Sequence, residues 1–221
     1  LLSFAVKRGL RSDNPALGIK KPPVRKMERF LSEQEITRLA AALEAEAASS
    51  GNPYPTAAIK LLLFTGCRRS EIANLLWENI DLETQCLRLP DSKTGGKVVY
   101  LNAPALKVLL KVPRMQANPH VIVGSKEGCG LSGLDKIWYR IRKLAKLDGL
   151  RLHDLRHSFA SVGIASGLSL PLIGALLGHK HATTTARYAH LSADPIKAAN
   201  EAVGARLAAA MARKQTNDLD P

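Results

Sequence analysis

The stretch HDLRHSFASV, residues 153–162, places His153, Arg156 and His157 on one face of a helix. Leu155, Phe159 and Val162 form an apolar stripe beside that face. Such a helix packs with one side and presents imidazole and guanidinium groups with the other. Helical patterning continues on both sides of it. The segments beginning at Ser132, Ser169 and Thr183 carry it, and so does LSEQEITRLAAAL, where Ser32 and Glu35 form a capping box. A second helix, nearly all apolar, is expected from about Thr56 to Phe64, and a third from about Arg69 to Leu76. The exception is NIDLETQCLRLPDSKTGGKVVYLN, in which two β-rich runs flank a turn containing Gly95 and Gly96. It predicts a hairpin with Lys93 at its tip. Helical patterning resumes at Ala103, interrupted by the short apolar run HVIVGS. The expected fold is mostly α with one small antiparallel β-sheet.

Across 221 residues, 46% hydrophobic and 23% charged, the composition is that of a folded globular chain. Its 32 Lys+Arg against 19 Asp+Glu leave a net charge of +13, which favours a polyanionic partner through phosphate neutralisation. Double-stranded DNA is the expected partner. No apolar run approaches the roughly 18 residues of a membrane span, and no signal-peptide pattern opens the chain, so a cytoplasmic, chromosome-associated protein is expected. Cys67, Cys86 and Cys129 are odd in number and widely spaced, which fits reduced thiols rather than a disulfide framework or a structural zinc cluster.

The chain divides by composition into four parts. Residues 1–19 read as the end of a helix closed by Gly9 and a turn-rich stretch; opening on Leu1 within an apolar pattern, they are expected to continue a longer protein. Residues 20–29 form a basic linker with Pro22 and Pro23. Its Lys20, Lys21, Arg25, Lys26 and Arg29 either stay solvated or track a DNA backbone. Residues 30–192 make the main domain, and 193–221 an Ala-rich amphipathic helix followed by a polar tail.

Four segments set polar groups beside apolar elements: TGCRRSE (65–71), DSKTGG (91–96), HDLRHS (153–158) and LLGHKHATTTARYAH (176–190). Each alone has an ordinary explanation. Arg68 and Glu71, three apart on a helix, fit a surface ion pair. His153 and His157 have the i, i+4 spacing of a zinc pair, but Arg156 would set a positive charge beside the metal. His179 follows Leu-Gly at a helix end, where histidine caps carbonyls, and Tyr188 by itself is a half-buried helical tyrosine.

Taken in order, Arg68, Lys93, His153-x-x-Arg156, Gly-His179 and Tyr188 resemble the tyrosine recombinase family, the phage-type integrases, from about Phe30 to Leu191. The resemblance implies a DNA breaking-rejoining catalytic fold with all six catalytic positions filled and Glu71 in support. It also marks residues 1–19 as the end of a core-binding domain. The implied reaction is site-specific recombination or integration of DNA, as in a mobile genetic element. Tyr188 attacks a phosphodiester, leaving a 3′-phosphotyrosyl bond and a free 5′-hydroxyl, with no metal, ATP or other cofactor. The residues suit these roles. Arg68 and Arg156 clamp the charge growing on the non-bridging oxygens, His179 adds a hydrogen bond, and Lys93 protonates the leaving 5′ oxygen. Only about 0.1% of a tyrosine is ionised at pH 7, a penalty of roughly 4 kcal/mol, so a proton acceptor is required and His153 is expected to serve. The family also implies a tetramer on DNA, with the C-terminal helix packed on a neighbouring protomer. Two other activities fit the same residues: a type IB topoisomerase, and a catalytically silent DNA-binding regulator. Tyr188 lies between Gly178 and Pro195, a segment able to swing, so a displaced tyrosine is expected without DNA.

Overall fold

The computed structural model of the chain describes residues 1–19, 29–90, 95–191 and 195–215. Lys20, Lys21, Arg25, Lys26 and Lys93 therefore lie outside the described residues. The elements run α1 (Leu2–Lys7), α2 (Glu33–Ser50), α3 (Pro53–Thr65), α4 (Arg69–Ala73), β1 (Ile80–Asp81), β2 (Cys86–Leu89), β3 (Lys97–Tyr100), α5 (Ala103–Lys111), α6 (Leu134–Leu144), α7 (Leu152–Ala165), α8 (Leu170–Leu177), α9 (Ala182–Ala186) and α10 (Pro195–Gln215). The mostly α fold with a small antiparallel sheet is the one expected.

Helix α2 begins as its sequence predicts. Ser32 Oγ accepts from the Glu35 amide at 3.2 Å, and the Glu35 carboxylate accepts from the Ser32 amide at 3.1 Å. The same carboxylate takes Arg29 through two bonds of 2.9 and 2.5 Å, which hold its pKa down at about 2. Helix α3 starts three residues before the expected Thr56. Asn52 Oδ1 caps the Tyr54 amide at 3.1 Å, and Pro53 sits in the first turn, where a missing N–H costs nothing. Its all-round apolar surface is explained by its neighbours, since α3 packs against α2, α4, α5 and α7, with Ala58, Ile59 and Leu61 fully buried.

The sheet has three antiparallel strands in the order β1-β2-β3, with Asp81 opposite Cys86 and Leu87 opposite Val99. Two runs were expected, because β1 is only two residues long and carries no alternation signal. Leu87, Leu89 and Val99 face the core, whereas Arg88, Val98 and Tyr100 are exposed. HVIVGS joins no named strand; Val121 and Ile122 are buried, and the segment makes isolated bridges, Leu76 with His120 and Val123 with Gly130.

Two apolar clusters result. The larger runs from α2 and α3 through the sheet to α5, α6 and the start of α7. The smaller joins Ala160 and Ile164 of α7 to Ile173 and Leu177 of α8 and to Tyr188. Along α10, the apolar Val203, Leu207 and Met211 recur every four residues and are exposed, as is every described side chain from Asn200 to Met211. Its apolar side chains therefore find no cover among the described residues.

Candidate active site

Helix α3 stops at Gly66, whose φ of 63° is open to glycine at little cost. A Cβ there would lie 2.7 Å from Phe159 Cδ1 and 2.8 Å from Leu177 Cδ2, so the absence of a side chain also brings α3, α7 and α8 together. Arg156 fastens that junction. Its Nη1 donates to the Gly66 carbonyl at 2.5 Å and its Nη2 to the Leu177 carbonyl at 2.7 Å. Both acceptors are helix C-terminal carbonyls, which favour a cation. A guanidinium has five N–H donors, so as many as three remain for an anion.

Arg68 stands just before α4, directly after the Gly66 turn. Its amide donates to Glu71 Oε2 at 2.8 Å and its Nη1 to Glu71 Oε1 at 2.7 Å. Lys97 Nζ, arriving from β3, donates to Glu71 Oε2 at 2.7 Å. Burial alone would raise the Glu71 pKa, but the hydrogen bonds from Lys97 and Arg68 outweigh it and hold the carboxylate ionised.

His179 follows the left-handed Gly178 that ends α8, and its Nδ1 lies 2.8 Å from Thr185 Oγ1. Burial, followed by the charges of Arg156, Arg68 and Lys97, pushes its pKa down to about 4. It is therefore neutral at pH 7. When the Thr185 hydroxyl donates to Nδ1, the ring proton sits on Nε2, making that atom a hydrogen-bond donor.

Tyr188 is not displaced, contrary to expectation. It is buried in the smaller apolar cluster, and its hydroxyl lies 2.6 Å from Nδ1 of His157, whereas His153 was the expected acceptor. Packing against α7 and α8 holds the ring in place where chain topology alone suggested a swing. His153 stands edge-on to His157, with ring centroids 4.9 Å apart. Among the described residues, no group of three His, Cys, Asp or Glu side chains could hold a metal ion.

Five of the six expected positions thus meet. Arg68, His153, Arg156, His179 and Tyr188 line one cavity of about 650 Å³, together with Arg69, Ser70, His157, Thr184 and Arg187. Four guanidinium groups at its wall make it a receptor for an anion. Four contributors were not given these contacts by the sequence. Lys97 had a legible signal, since it shares the inward phase of β3 with the buried Val99. His157 entered on the polar face of its helix and as a zinc candidate, not as the partner of Tyr188, which lies 31 residues away. Thr185 and Arg187 sit in a run of small and polar residues with no distinguishing pattern.

Residues 29–194 match the phage integrase family. The chain belongs to that family. A relative is the tyrosine recombinase XerA of Saccharolobus solfataricus, 31% identical over 199 residues, covering 88% of this chain and 63% of the relative. The chain thus spans less than two thirds of that protein's length. A crystal structure of XerA recombinase superposes with a TM-score of 0.63 at 25% identity, covering 82% of this chain and 68% of that one. A lambda integrase dimer bound to a COC' core site shares the fold, with a TM-score of 0.64 at 20% identity over 84% of this chain and 55% of that one. Among the described residues, no helix of this integrase-family chain is long and apolar enough to cross a membrane.

Proposed function

We propose that this integrase-family chain cuts and rejoins double-stranded DNA as a site-specific recombinase, with Tyr188 as the nucleophile and a 3′-phosphotyrosyl intermediate. One observation carries the reading: the Tyr188 side chain lines the same cavity as the Arg68 and Arg156 guanidinium groups. In the reaction the Tyr188 oxygen bonds to phosphorus and gives up its proton. The bond from phosphorus to the 5′ oxygen breaks, and that oxygen receives a proton from Lys93. Arg68 and Arg156 take up the charge on the non-bridging oxygens, and His179, with its proton on Nε2, adds a neutral donor. His153, on the same wall, is placed to contact the same phosphoryl group. Two fixed guanidinium charges supply the electrostatic stabilisation that a cation gives elsewhere, and the phosphotyrosyl bond conserves the phosphodiester energy for rejoining, so neither metal nor ATP is called for.

DNA as partner is supported by the net charge of +13 and by a structural relative, lambda integrase, that is bound to a core site. Lys20, Lys21, Arg25, Lys26 and Arg29 are proposed to track the DNA backbone; for Arg29 this means exchanging Glu35 for phosphate. The exposed Val203, Leu207 and Met211 of α10 support packing on a neighbouring protomer in a tetramer on DNA. The test is to incubate the chain with supercoiled plasmid in EDTA, quench with SDS and seek a nucleotide on Tyr188 by mass spectrometry. An adduct that Tyr188→Phe abolishes supports the reading; an adduct that persists in Tyr188→Phe, or forms only with added metal, refutes it.

A further inference from the structure

The Tyr188 hydroxyl meets Nδ1 of His157 at 2.6 Å, and the two residues are 3% and 5% exposed. We propose that His157 is the proton acceptor for Tyr188, a role that rests on Tyr188 being the nucleophile. The hydrogen bond has a definite sense. A phenol donates, so Nδ1 accepts and the ring carries its proton on Nε2. As the Tyr188 oxygen bonds to phosphorus, its O–H bond breaks and the proton moves to Nδ1, giving an imidazolium. The 5′ oxygen leaves with a proton from its own donor, Lys93 in the reading above. In rejoining, the 5′-hydroxyl attacks phosphorus and the imidazolium returns its proton to the departing phenol oxygen, so the His157 cycle closes without a further reagent.

The surroundings make this acceptor responsive to DNA. Among the described residues, the groups facing His157 are Arg151 just before α7, His153 and Asp154 of α7, and Arg187 and Tyr188 from the segment after α9. Burial, then His153, Arg187 and Arg151, depress its pKa to about 4 against the opposing pull of Asp154. At pH 7 the imidazole is therefore neutral and weakly basic. A phosphodiester entering the cavity that Arg187 also lines offsets the cationic charge and strengthens the base when its substrate is present. His153 stands edge-on to His157, with ring centroids 4.9 Å apart.

The test compares the whole chain with its His157→Asn and His153→Asn variants in forming the SDS-trapped Tyr188 adduct on supercoiled plasmid. An asparagine oxygen still accepts a hydrogen bond but takes no proton. His157→Asn is expected to slow adduct formation about 10²- to 10⁴-fold at pH 7 and to recover as pH rises toward the tyrosine pKa near 10. His153→Asn is expected to show no such recovery. A His157→Asn variant with the parent's rate and pH profile overturns the proposal. If the parent itself forms no adduct, the nucleophile reading fails and the base role with it, an outcome distinct from a reactive parent with an indifferent variant. A second measurement leaves His157 intact: ¹⁵N NMR of the DNA-free chain is expected to show an unprotonated Nδ1 whose shift moves in Tyr188→Phe. A protonated Nδ1, or a shift indifferent to that change, also overturns it.

Discussion

Glu71 and Lys97 form an ion pair of 2.7 Å with side chains only 4% and 9% exposed, and the carboxylate of that pair is also the one that holds Arg68. Two cations on one carboxylate leave a net positive charge, so Arg68 is positioned without being neutralised. Lys97→Met removes one of these charge-assisted bonds while Glu71 keeps the other. A loss of about 1.5–3 kcal/mol in urea unfolding is expected. Adduct formation at Tyr188 should fall as well, because Arg68 then faces the full charge of Glu71.

Arg156→Lys should retain the charge and lose the geometry. A lysine is a point charge and cannot bridge the Gly66 and Leu177 carbonyls while still presenting a planar fork to phosphate. Adduct formation is expected to drop about 10²- to 10³-fold, the scale for removing one transition-state donor. Plasmid binding at low salt should change little, which filter binding would measure.

Gly66→Ala inserts a Cβ at 2.7 Å from Phe159 and 2.8 Å from Leu177, on a backbone with φ of 63°. Overpacking of this kind costs about 1–3 kcal/mol, read as a lower urea midpoint. The effect should extend to the reaction, since the carbonyl that holds Arg156 belongs to the same residue.

His179 and His157 both have pKa values pushed down to about 4 by burial first and neighbouring charges second. An unfolded histidine titrates near 6.5, so between about pH 6.5 and 4 the unfolded chain binds more protons than the folded one. Histidine-linked stability is therefore present above pH 6.5 and lost as pH falls toward 4. Replacing both histidines with Asn should flatten the dependence of the urea midpoint on pH across that window.

Thr185→Val deletes the hydroxyl that lies 2.8 Å from His179 Nδ1, and with it the preference for a proton on Nε2. About a tenfold loss of adduct is expected, within the range for one hydrogen bond between neutral groups. Thr185→Ser should retain most of the parent's rate; equal losses in both variants would point to packing instead.

Much of this architecture was legible from local rules. The Ser32-Glu35 capping box, the apolar surface of α3 and the alternation at Leu87 and Leu89 all obey short-range physics, and the order of the four polar segments carried the family. What was misjudged had a local cause in one case and a tertiary cause in the other. The start of α3 moved because Asn52 caps it, and α4 ends at Ala73 rather than near Leu76, as Leu76 turns to pair with His120.

The sequence by itself determined the fold class, the family, and the identity of five of the residues that line the cavity, because each lies in a short motif whose spacing is read along one helix or turn. Only the tertiary structure decided which of those groups touch. Tyr188 meets His157 because α7 and α8 close on its ring across 31 residues of intervening chain, and Arg68 shares Glu71 with Lys97 because β3 folds back beside α4. Contacts of that kind depend on packing between distant segments, which no local pattern encodes.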